Sequence, residues 1–98
     1  MKIYIIARSV FHTSAPTYPD VQVFTDPKKA MAHLKLMYDI KEEDFVSPPS
    51  ESSCDRGTWT EQFFVTKNDN RWQNIDRPFA AWSTSMPDET MIYEEKEI

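Results

Sequence analysis

The chain has a single glycine, Gly57, and a single cysteine, Cys54, among 98 residues. Loops that cradle phosphate need several glycines, because only a backbone without Cβ lets amides approach the ligand closely. A nucleotide-binding P-loop and a dinucleotide-binding fingerprint are therefore excluded. One cysteine forms no intramolecular disulfide and no C-x-x-C pair of the kind that holds structural zinc. Long apolar runs are also missing. The run Ile3-Tyr4-Ile5-Ile6-Ala7 ends at Arg8, too short for a secretory leader or a membrane span, so a cytoplasmic protein is expected. The two histidines, His12 and His33, are far apart and lack an i, i+4 partner, so no metal site is expected from them.

What is present is a globular composition: 40% apolar, 28% charged and thirteen aromatics, too many for a disordered tail. The length is that of one domain, residues 1–98. The net charge of −5 is unevenly spread, because residues 1–41 are net basic and residues 42–98 strongly acidic. An acidic chain repels a phosphate backbone, which argues against nucleic acid as a partner. Lys28, Lys29 and Lys35 could form a small basic patch, but a solvated helix face is the favoured account of them.

Seven prolines divide the chain in place of glycine. Residues 2–11 read as a strand with apolar residues in both alternating sets, hence as a central strand covered on both faces. Residues 12–20, with Pro16 and Pro19, read as a loop, and Val21 to Phe24 as a short extended piece. Asp26 before Pro27 marks a helix start, and Ala30, Met31, Leu34, Met37 and Tyr38 then share one helical face. That helix should stop near Ile40, because Lys41 would rotate back into the apolar arc; Leu36 and Ile40 lie off the stripe. Glu42 to Arg56 is an acidic Ser/Pro-rich loop, with a mobile part expected within 42–57. Thr58–Thr66 and Arg71–Ile75 read as a hairpin around a turn at 67–70, Phe79–Ser85 as a strand candidate, and Thr90–Lys96 as the last strand. The fold class is α+β: a mainly antiparallel sheet of four to five strands with one helix packed on one face.

No constellation carries chemistry clearly. Cys54 has Arg56 nearby to favour a thiolate but Asp55 beside it to oppose one, and no base at hand, so an inert thiol is the default. Asn68 to Asp76 resembles a calcium loop only superficially, because it lacks the turn glycine and the final glutamate. The carboxylate groups at 42–44, 88–89 and 94–97 look like solvated faces rather than a catalytic pair. No catalytic residue and no cofactor is assigned. The aromatics say more. Trp59 and Phe63 are assigned to the core under the helix, whereas Phe64, Trp72 and Trp82 are candidates for the second sheet face, which one helix leaves uncovered. Aromatics ringed by acidic residues resemble a protein interface in composition. The sequence thus favours a non-enzymatic interaction module, possessing regulatory or inhibitory potential, whose partner is another protein or a second copy. The alternative is a small enzyme using Cys54 or a carboxylate pair in a pocket between the helix and the loops.

Overall fold

The structure, a computed structural model, describes residues 1–10, 17–47, 57–66, 69–77 and 88–98, with side chains described for all of these but 10, 17–19, 69 and 70. Among the described residues five strands form one sheet: β1 (Lys2–Val10), β2 (Thr17–Phe24), β3 (Trp59–Thr66), β4 (Asp69–Asn74) and β5 (Glu89–Glu97). Their order is β2-β1-β5-β3-β4, with every neighbouring pair antiparallel. The two ends of the chain meet in the middle of the sheet, where β1 pairs with β5 from Lys2↔Glu97 to Val10↔Glu89. The terminal ammonium group of Met1 donates to Glu97 Oε1 at 3.0 Å and to the carbonyl of Ile98 at 2.9 Å. The helix α1 (Pro27–Tyr38) lies on one face, which is the expected α+β arrangement.

Both ends of α1 are set by local chemistry. Asp26 is extended, and its carboxylate accepts from the backbone N–H of Lys28 at 3.0 Å. Pro27 fills the first turn, where a missing N–H costs nothing. At the other end Asp39 takes the left-handed conformation, with φ 54°. That turn lets Ile40 N–H reach back to the carbonyl of Leu34 at 3.2 Å, and it folds the Ile40 side chain under the helix. Ile40 is thus buried although it lies off the helical stripe, whereas Leu36, also off the stripe, is 83% exposed. Met37 belongs to the stripe by periodicity but is exposed.

Pairing in an antiparallel sheet fixes which side chains share a face. Ile6 stands opposite Tyr93, and Met91 opposite Phe63, so these point together toward α1. With Tyr4, Ala30, Met31, Leu34, Ile40 and Phe45 they make the core. Phe45 packs between Phe63 and Tyr93, with ring centroids 5.1 Å from each. It follows a single 3-10 turn at Glu42–Asp44, so this part of the expected 42–57 loop is fixed to the core.

A buried carboxylate ties that segment down. Glu61, on the helix side of β3, accepts four hydrogen bonds: from the N–H groups of Val46 (2.7 Å) and Ser47 (3.1 Å), from Trp59 Nε1 (2.8 Å) and from Asn74 Nδ2 (2.7 Å). Arg77 adds donors to the carbonyls of Glu43 and Phe45. Two expectations about the strands change. Residues 17–20, read as loop, extend β2, because Pro19 is tolerated on a strand that is at the sheet's edge among the described residues. The strand β1 is covered by α1 on one face only, since Ile3, Ile5 and Ala7 on its other face remain partly exposed. The strand candidate at 79–85 lies outside the described residues.

Candidate functional site

Two surfaces on either side of β2 are candidates. On the face away from α1, β2 presents Val21 and Val23, opposite Ala7 and Ile5 of β1. Ile92 and Glu94 of β5 continue this face beyond them, opposite Ala7 and Ile5 in turn. Ile5, Ala7, Val21, Ile92 and Glu94 line a shallow depression of about 350 Å³. Val21 is 52% and Val23 57% exposed. Side chains of this kind are the ones folding normally buries, each worth about 1.5–3 kcal/mol when fully removed from water.

The other side of the same strand borders a polar cleft of about 280 Å³. Asp20 and Gln22 of β2 line it with Arg8 of β1, Glu89 of β5, and His33, Met37 and Tyr38 of α1, and Trp72 lies at its far side. Arg8 links three strands. Its Nε donates to Glu89 Oε1 at 2.8 Å, Nη2 to the same oxygen, and Nη1 to Asp20 Oδ2 at 3.3 Å. The hydrogen bond to Glu89 raises the guanidinium pKa still further, outweighing desolvation. Burial pushes the Tyr38 phenol above its usual value, against the opposing pull of Arg8. An aromatic row runs along the cleft: Phe24–His33 at 5.3 Å, His33–Tyr38 at 6.1 Å and Tyr38–Trp72 at 5.4 Å between centroids. One guanidinium against two carboxylates leaves the cleft acidic.

Of the three aromatics expected on the second face, Phe64 and Trp72 fall within the described residues, and they stand on opposite faces of the sheet. Phe64 does point away from α1, but it is only 1% exposed. Trp72 stands on the helix side: Asn74 pairs with Phe63, and Trp72, two residues earlier, shares that face. There it packs edge-on against Tyr38 and is partly buried. Trp82 lies outside the described residues, as do Cys54 and His12. The assignment of Phe63 to the core is correct, while Trp59 is half-buried and donates to Glu61.

Among the described residues the exposed apolar surface is thus aliphatic rather than aromatic. Sequence reasoning missed it by reading β1 as covered on both faces and by counting only large rings as surface anchors. Val21 and Val23, two apart in a strand bounded by prolines and Asp26, were the available signal. The basic residues Lys28, Lys35 and Lys41 line a separate groove of about 410 Å³, shared with Glu42 and Glu43. Among the described residues no group of three or more His, Cys, Asp or Glu is placed to hold a metal ion, and no helix is long and apolar enough to cross a membrane. Comparison of the chain with protein-family models, with curated proteins and with solved structures finds no match.

Proposed function

We propose that this chain is a non-enzymatic protein-interaction module whose contact surface is the open sheet face at β2. The observation that supports it is the pair Val21 and Val23, more than half exposed on an edge strand and continuous with the aliphatic depression at Ile5, Ala7 and Ile92. An edge strand leaves every second residue's N–H and C=O without a ladder partner, and proteins usually guard such edges with lysine or a bulge. Pro19 and a register shift guard the Thr17 end of β2, but residues 20–24 pair without a shift and contain no lysine.

The enzyme alternative has less support. Hydrolysis by a carboxylate pair needs one carboxyl shielded in apolar surroundings so that it carries a proton. In the polar cleft Asp20 is half-exposed, and both it and Glu89 accept from Arg8. The test is the paired substitution Val21→Lys/Val23→Lys, which places charge on the open face of an exposed strand. The variant should melt within a few degrees of the parent while losing association with the partner protein that the parent retains through native purification. Retained association with an unchanged partner would contradict the proposal.

A further inference from the structure

We infer that the occupant of the β2 edge is an extended segment of a basic partner protein, added as a sixth strand, with a lysine or arginine set opposite Asp20. The inference rests on the interaction-module reading and specifies its partner. A strand added to a sheet edge gains affinity from main-chain hydrogen bonds and specificity from alternating side chains. Pro19 lacks an N–H, so the segment that offers a continuous edge is residues 20–24. Its side chains alternate by face. Asp20, Gln22 and Phe24 face the helix side, opposite Arg8, Ile6 and Tyr4, and Val21 and Val23 face the open side.

An antiparallel partner therefore meets, in its own chain order, an apolar site beside Phe24, an aliphatic one beside Val23, a polar one beside Gln22, an aliphatic one beside Val21 and an anionic one beside Asp20. Opposite charges directly across a sheet attract, and like charges repel. The Asp20 carboxylate is half-exposed, and Glu89 lies behind it in the cleft, so the local charge remains negative after Arg8 is counted. A cation is the complementary occupant. A second copy fits this edge less well. Two β2 strands related by a two-fold axis at Gln22 would place Asp20 against Phe24, give it no cation, and bring together two chains of charge −5.

The probe is a soluble synthetic peptide with the core Ile-Val-Thr-Val-Lys, compared with the same peptide carrying Glu in place of Lys. Binding is followed by backbone amide shifts in NMR spectra of the full chain at low ionic strength. The expected result is movement of the amides of residues 20–24 and an affinity about 2–5-fold higher for the Lys peptide. Asp20→Lys should reverse that preference, and Asp20→Asn should abolish it with the fold intact. Equal affinity of wild type for the two peptides, with amides 20–24 still moving, would overturn the cation assignment and leave the interaction module standing. Unmoved amides at 20–24, or sedimentation showing a dimer that excludes the peptide, would overturn the added-strand inference itself.

Discussion

Replacing Glu61 by Gln isolates the carboxylate that joins the 45–47 segment to the sheet. Each oxygen serves two donors: Oε1 accepts from Val46 N and Asn74 Nδ2, and Oε2 from Ser47 N and Trp59 Nε1. Glutamine has the same shape but only one acceptor, and its amide nitrogen must then face two N–H groups. An orphaned buried donor costs about 1–3 kcal/mol, and the partial exposure of Trp59 and Ser47 places both toward the lower end. Loss of the negative charge also weakens the two bonds that remain. The total is about 2–4 kcal/mol, a large part of the 5–15 kcal/mol net stability usual for a domain. For a chain of 98 residues this corresponds to a fall in Tm of roughly 10–20 °C. Urea unfolding followed by tryptophan fluorescence should give a lower midpoint with an unchanged slope. A loss below about 1 kcal/mol would refute the reasoning, because water or a shifted loop would then be satisfying the donors.

Asp26→Ala removes the acceptor for Lys28 N–H and should lower stability by about 0.5–2 kcal/mol in the same urea assay, with no loss meaning that the cap contributes nothing. The raised pKa of Tyr38 predicts alkaline sensitivity. A folded-state pKa above the unfolded value of about 10 means that the contribution is fully present below pH 10 and is lost as pH rises through the folded value. Tyrosinate absorbance should show a late-ionising fraction, and Tyr38→Phe should reduce that fraction by one phenol. An unchanged titration curve in the variant would assign the effect elsewhere.

The parts of the fold legible in the sequence were those with strong local signals. Asp26-Pro27 marked the start of α1, and alternation in residues 59–66 assigned the two faces of β3 correctly. What escaped depended on pairing between distant segments. Nothing local to Trp72 says that Asn74 lies opposite Phe63, yet that register turns the indole toward Tyr38. Glu61 interrupts an apolar face and looks like a surface residue until its four donors, from three separate stretches of chain, are brought around it. Ile40 is similar in kind: the left-handed Asp39 that redirects it carries no glycine to announce the turn. For the candidate surface, the strand order decided the matter. Only a sheet in which β2 is an edge and α1 covers one face leaves Val21 and Val23 in water.

Photo-crosslinking from defined positions tests that surface most directly. A benzophenone side chain at position 21 or 23 probes the open face, and one at position 36, where Leu36 is even more exposed on the helix, serves as control. Irradiation of the full chain in extract from its source cells should give a discrete protein adduct from positions 21 and 23 and none from position 36. The same adduct from position 36, or no adduct from either valine position, would contradict the assignment of β2 as the contact surface.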